Sequence, residues 1–303
     1  MEDKVEFTSE LAHWSPEARW YKPMICFLVV QSSRFVTQVL NRLEFVGHEH
    51  WHEAFDSAKR GVLSFSNHVS LFDDPLLTSG LGRTSYRDTR WIPADHKNFF
   101  GSAAKGFLFG SGKCVPIIRG AGLEQPGLAF LVERLKEGAW VHIFPEGGRT
   151  RDPEARLRRP FKSGIGRLIR EAAPMLLPFY HRGMQAVLPI GAKVPRLGKQ
   201  VRVYFDTPTQ VDEAWIAERS EEGAERGALC ALTQWCEDTM VELERRVLAT
   251  LWQGGSWSVR EVLDEVGGAL AYTTIATVLD RLHGKGEVDR EKVGRSWHYS
   301  ASR

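Results

Sequence analysis

The chain has 303 residues, enough for one large domain and a small one. With 43% hydrophobic and 26% charged residues, the composition excludes a disordered or low-complexity protein. A formal net charge of +2 excludes a globally basic nucleic-acid binder. The cysteines Cys26, Cys114, Cys230 and Cys236 form no CxxC pair and no metal-ligand spacing, so free thiols in a reducing compartment are expected.

The N-terminus MEDKVEF has mixed charge, and no secretory signal is read there. Residues 1–42 hold Trp14, Trp20, Tyr21, Phe27, Leu28, Phe35, Val36 and Leu40. The longest apolar run, Met24–Val30, is too short to span a bilayer, which needs about 20 apolar residues. A helix lying in a membrane interface fits this segment, and a core helix is the alternative. HEHWHE, with His48, His50 and His52, looks helical from its flanks, and no metal site is expected there.

From residue 43 to 242, strand-like runs alternate with helical patterns. The strands are expected at Val62–Phe65, Trp91–Pro93, Val115–Ile118, Trp140–Phe144, Met175–Tyr180 and Val201–Phe205. Helices are expected through Leu128–Leu135 and Ile165–Ile169. This alternation predicts an α/β fold, a mixed sheet flanked by helices. A Glu-rich stretch follows, and then a long helix from about Gly227 to Gln253 that ends at Gly254–Gly255. Residues 243–303 read as a second, smaller domain. Its helices are expected at Ser258–Val266 and Ala271–His283, and its two strands at Glu287–Arg290 and Ser296–Ser300. That order predicts a winged helix-turn-helix. The long helix enters it with no flexible linker.

SNHVSLFDDP (Ser66–Pro75) supplies a His directly after a buried strand, with an Asp five positions later. Asp74–Pro75 is a plausible cap and first turn of a helix. A carboxylate on one imidazole nitrogen fixes the tautomer and leaves the other nitrogen free to take a proton. Asp73 and Asp74 both fit that role. With no Ser or Cys nucleophile nearby, the pattern points to a base acting on a substrate hydroxyl. Two more strands end on polar groups. GKCVPIIRG ends on Arg119, and WVHIFPEGGRTR places Glu146, Gly147, Gly148 and Arg149 after a strand. Ligands of α/β sheets sit at such strand ends, and two arginines beside a glycine pair suit an anionic headgroup such as phosphate. An Arg119–Glu146 ion pair is the plainer reading. Between Arg149 and Lys162, six basic residues (Arg149, Arg151, Arg156, Arg158, Arg159, Lys162) face only Asp152 and Glu154. This loop is either solvated surface or a contact for anionic lipid.

SNHVSLFDDP, GKCVPIIRG, WVHIFPEGGRT, FKSGIGRLI and LPFYHRGM, in that order across about residues 15–245, resemble the glycerolipid acyltransferase superfamily and its tafazzin branch. The resemblance implies acyl transfer to a lysophospholipid hydroxyl without a bound cofactor. His68 would be the general base and Asp73 its orienting partner. Arg119, Glu146, Gly147 and Arg149 would hold the acceptor's phosphate side, and Pro178 would lie near the acyl pocket. FPEGGRTR departs from the FPEGKVN of the tafazzin branch, which leaves the donor open between acyl-CoA and a phospholipid.

LWQGG, SVREV, AYTTIATVLDRLHGKG and GRSWHY resemble the penicillinase-repressor family. The resemblance implies a recognition helix at Ala271–His283. Thr273, Thr274 and Thr277 would face a DNA groove, with Arg281, Lys285 and Arg295 at phosphates. Nine basic residues balance nine acidic ones from Glu242 to Arg303, so a protein-contact or purely structural module is the alternative. A repressor-like tail implies a bacterial cytoplasm, with the chain peripheral on the inner face of the membrane.

Overall fold

The computed structural model describes residues 13–17, 19–74, 79–152, 156–222, 227–252, 257–260, 262, 272–284, 288–294 and 296–301. Helix α1 (Tyr21–Arg34) continues through a wider turn at Phe35–Val39, where the Thr37 hydroxyl donates to the Ser33 carbonyl at 2.9 Å. Strand β1 (Arg42–Val46) and helix α2 (His48–Ser57) follow, and the expected helical setting of His48, His50 and His52 is found. Among the described residues no His, Cys, Asp and Glu group has the geometry of a metal site.

Strand β2 (Val62–Ser66) is buried at every position, as expected for a strand covered on both faces. Then come β3 (Ile92–Asp95), α3 (Ala103–Ser111), β4 (Cys114–Ile117), α4 (Pro126–Lys136), β5 (Trp140–Ile143), α5 (Gly164–Ala172) and β6 (Met175–Arg182). Strands β7 (Gln200–Phe205) and β8 (Thr209–Gln210) complete the large sheet. Helices α6 (Glu213–Glu222) and α7 (Ala228–Trp252) follow.

The sheet order is β1-β7-β6-β2-β5, with β8 on β6. Strands β6, β2 and β5 are mutually parallel, while β7 runs antiparallel to β6. Trp91 bridges Val141 in parallel, and β3 pairs β4 in parallel, so this direction continues beyond β5. Five strands therefore point their C-terminal ends the same way, and the site is built along that edge. Leu131, Leu135, Ile165, Leu168 and Ile169 from α4 and α5 fill one core against Leu63, Phe65 and Val141. Leu232, Cys236, Met240, Leu243 and Val247 of α7 join the same core at about every fourth residue.

Helix α1 has one buried side and one exposed side. Cys26, Val30 and Ser33 are buried, while Trp20, Met24, Phe27, Leu28 and Phe35 are exposed. Trp14 departs from the expected interfacial cluster. Its ring packs edge-on against Phe130, and its indole N–H donates to the Cys114 carbonyl at 2.7 Å. Burial pushes the Cys114 thiol up to about 12, as suits a packing residue.

In the C-terminal part, β9 (Trp257–Ser258), α8 (Tyr272–Gly284), β10 (Val288–Val293) and β11 (Ser296–Ala301) surround Val259, Ile275, Leu279, Val288 and Tyr299. The sheet order is β10-β11-β9. The β10–β11 hairpin is the wing, and its turn uses Gly294 at φ 64°. The expected helix at Ser258–Val266 and the stop at Gly254–Gly255 lie largely outside the described residues.

Candidate functional site

Leaving β2, the chain turns at Asn67. Its side chain donates to the His181 carbonyl at 2.9 Å and accepts from the His181 N–H at 2.9 Å. This two-way lock ties the loop after β2 to the end of β6. The next residue is His68. Its Nδ1 lies 2.9 Å from Asp73 Oδ2, and the same oxygen accepts from the Val69 and Ser70 N–H groups at 2.6 and 2.8 Å. Three donors converge on one carboxylate that is fully buried. A carboxylate on Nδ1 makes that nitrogen the proton carrier and Nε2 the acceptor. The ring stacks on Phe144, centroids 4.1 Å apart at 11°, which fixes its plane.

The choice between adjacent aspartates is resolved by their neighbours. Asp74 is engaged by Arg90, through Nε at 2.6 Å and through Nη2, and Arg90 also donates to the Gly112 carbonyl. Asp74 therefore anchors the loop to the turn before β4, and Pro75 of the expected helix start lies outside the described residues. His181 sits behind Asp73, its Nε2 3.7 Å from Oδ2 and 2.9 Å from the Asn67 carbonyl. Burial lowers its basicity, with Asp73 opposing, so His181 serves as a neutral donor to that carbonyl. His142 is likewise buried and held well below the usual histidine range by desolvation. Its Nδ1 lies 2.9 Å from the Ser64 hydroxyl.

Glu146 differs from its expected place among the groups that face an anion. It is fully buried, and its two oxygens accept from the His68 N–H at 2.6 Å and the Arg158 N–H at 2.7 Å. Burial pushes its carboxyl up to about 8, against the pull of these two N–H groups. Both of its oxygens are taken up by these inward N–H groups, so neither faces an incoming headgroup. Its geometry instead braces the backbone of His68. The Arg119–Glu146 ion pair is corrected for the same reason. Arg119 is largely exposed, and its Nε lies 3.5 Å from Asp95 Oδ1. Pro178 is buried inside β6, where its carbonyl accepts from Asp206, and so is part of the sheet interior.

Gly147 turns at φ 67°, and a side chain there would meet the Lys162 stem at 2.8 Å. Its N–H donates to the Phe144 carbonyl at 3.1 Å, while Lys162 N–H donates to the Pro145 carbonyl at 2.8 Å. The Thr150 N–H closes the loop onto the His68 carbonyl at 2.8 Å. Arg149 is half-buried in this turn, and Arg158 reaches within 3.1 Å of where a Gly148 side chain would start. The basic loop thus folds back over the glycine pair. Exposed Arg158 and Lys162, named in the sequence only as members of the basic loop, are cations beside the site. Residues 153–155 lie outside the described residues. So do Lys285 and Arg295, and so does the Thr274 side chain. On α8, Thr273, Thr277 and Arg281 are exposed, and the Thr277 hydroxyl donates to the Thr273 carbonyl at 2.8 Å.

The architecture is a mixed-sheet α/β domain followed by a smaller domain with a two-stranded wing. Residues 42–182 match the family described as Acyltransferase, and residues 240–303 match the family described as Penicillinase repressor. The N-terminal domain is tafazzin-like. Tafazzin of Drosophila melanogaster is 32% identical over 66% of this chain and 54% of that protein. Taffazin of Dictyostelium discoideum is 35% identical over 46% of this chain and 52% of its own length. N-acylphosphatidylethanolamine synthase of Arabidopsis thaliana is 32% identical over 52% and 58%. The chain therefore spans little more than half the length of each of these relatives.

Proposed function

We propose that this protein transfers a fatty acyl chain to the hydroxyl of a lysophospholipid, with His68 as general base. The observation that carries the reading is the 2.9 Å His68–Asp73 contact at the C-terminal edge of five co-directed strands. His68 Nε2 accepts the proton of the lysolipid hydroxyl as its oxygen attacks the acyl carbonyl. The tetrahedral intermediate then expels the donor's thiolate or alkoxide, which leaves with the proton returned from His68. Arg119, Arg149, Arg158 and Lys162 are the cations that suit the acceptor's phosphate. No metal or organic cofactor enters this scheme.

The working place in this reading is a bacterial membrane's cytoplasmic face, with the chain bound peripherally. The exposed faces of Trp20, Met24, Phe27, Leu28 and Phe35 on the α1 segment and of Phe107 and Leu108 on α3 support it. Leu71 and Phe72, three and four residues after His68, are also exposed. Among the described residues no helix is long and apolar enough to cross a membrane.

The deciding experiment offers labelled lysophospholipid in vesicles together with either acyl-CoA or a diacyl phospholipid. Transfer from one of them supports the reading and names the donor. No transfer from either, with His68→Ala indistinguishable from the parent, refutes it. The second reading is a DNA-binding regulator whose acyltransferase domain senses lipid. Exposed Thr273, Thr277 and Arg281 on one helix favour it. A salt-dependent shift of duplex DNA without acyl turnover would establish that reading instead.

A further inference from the structure

The loop that returns over the site is held from behind by helix α7. Glu244 Oε1 accepts from the Leu157 N–H at 3.0 Å and from the Tyr180 hydroxyl at 3.0 Å. Two helical turns earlier, Glu237 is almost fully buried. Its Oε2 accepts from the Phe161 N–H at 2.7 Å, and its Oε1 from Arg159 Nε at 2.7 Å. Seven residues apart, the two carboxylates lie on one side of the helix. Between their attachment points sits Arg158, whose N–H meets Glu146, and the other Glu146 oxygen meets the His68 N–H. Four carboxyl–amide contacts therefore link α7, through residues 157–161 and Glu146, to the backbone of the base.

The core places α7 independently of this loop, because Cys236, Met240, Leu243 and Val247 are buried among the acyltransferase residues. The helix is thus the fixed body and residues 157–161 the part it positions. An amide held by a carboxylate is a strong contact, and a buried one left unmatched is costly.

We propose that Glu237 and Glu244 are positioning residues of the acyl-transfer site: they set the loop 157–161 and, through Arg158 and Glu146, the position of His68 and of the cations that meet the acceptor. The inference rests on the acyl-transfer reading above. It assigns a role in that chemistry to a helix whose second half lies in the segment matching the penicillinase repressor, which begins at residue 240.

The test compares the full chain with Glu244→Ala, Glu244→Gln and Glu237→Ala, and uses Glu133→Ala, in an exposed ion pair with Lys136, as control. Acceptor and donor KM are measured separately, with the thermal midpoint and hydrogen exchange at the His68, Leu157, Arg158 and Phe161 amides. Glu244→Ala and Glu237→Ala are each expected to raise the acceptor KM about tenfold, with the donor KM unchanged and these amides exchanging faster. Glu244→Gln keeps an oxygen for Leu157 and Tyr180 and is expected to return the acceptor KM toward the parental value. Parental acceptor KM and exchange in both alanine variants overturn the proposal. So does an equal rise of both KM values accompanied by a fallen thermal midpoint, which marks a merely structural role. Should the parent transfer no acyl chains, the acyl-transfer reading falls. The exchange rates then decide the brace alone: faster exchange at His68 and Arg158 supports it, and unchanged exchange sinks it.

Discussion

The turn after β2 and the turn after β4 lie on the same edge of the sheet and are built in opposite ways. After β2, Asn67, His68, Asp73 and Asp74 are tied by side-chain bonds to β6, to their own loop and to Arg90, with the two aspartates and Asn67 buried. After β4, Arg119 stands mostly in solvent with a loose contact to Asp95. A group that must take a proton needs a fixed tautomer and a fixed distance, and burial supplies both. A group that meets a headgroup arriving from a membrane needs reach. Under the proposed acyl-transfer reading, the rigid turn suits a base and the open turn suits a cation that meets the acceptor.

That contrast can be broken most severely at the base. His68→Ala is expected to lower kcat/KM about 10²–10⁴-fold in the vesicle assay while leaving the unfolding curve nearly in place. Asp73→Ala should cost both. It strands the buried Val69 and Ser70 N–H groups, at about 1–3 kcal/mol each, and frees the imidazole to choose the wrong tautomer. Denaturant titration beside the activity assay measures the two losses.

Glu146 sharpens the same comparison through pH. Its carboxyl ionises near 4.5 when unfolded and near 8 when buried, so the folded state holds the extra proton between those values. Its contribution is complete below about pH 4.5 and is lost as pH rises through 8, amounting to about 3–5 kcal/mol across the window. Glu146→Gln should flatten that slope in stability measured against pH. The smallest effect belongs to the open turn. Arg119→Ala is expected to raise the acceptor KM roughly fivefold, and less in high salt, with stability changed by under about 0.5 kcal/mol. A large stability loss there would erase the distinction between the two turns.

Much of this arrangement is legible in the sequence because buried parallel strands announce themselves as apolar runs. Val62–Phe65, Val115–Ile118 and Met175–Tyr180 all fall on strands. The edge strand Arg42–Val46 escapes that reading, since its exposure alternates and its partner lies 158 residues away at Gln200. In the site, the sequence puts a His and two aspartates together and leaves the choice open. The choice depends on Arg90, sixteen residues from Asp74, whose pairing only the fold brings about. The FPEG run identifies Glu146 but not its direction. That direction is set when the chain returns at Arg158 and offers a backbone amide. Glu237 and Glu244 read as ordinary polar positions of an amphipathic helix, because their loop contacts span 76 to 87 residues.

Helix α7 is a single rod from Ala228 to Trp252, and the border between the two family segments, at residue 240, falls in its middle. The family border therefore does not coincide with the edge of the packed core, since Leu243 and Val247 lie past it and still belong to the core of the large sheet. Cutting at that border would take Glu244, Leu243 and Val247 away from the large-sheet domain and leave greasy surface behind. An insertion between Met240 and Leu243 would rotate Leu243, Glu244 and Val247 away from the core and loop they now serve.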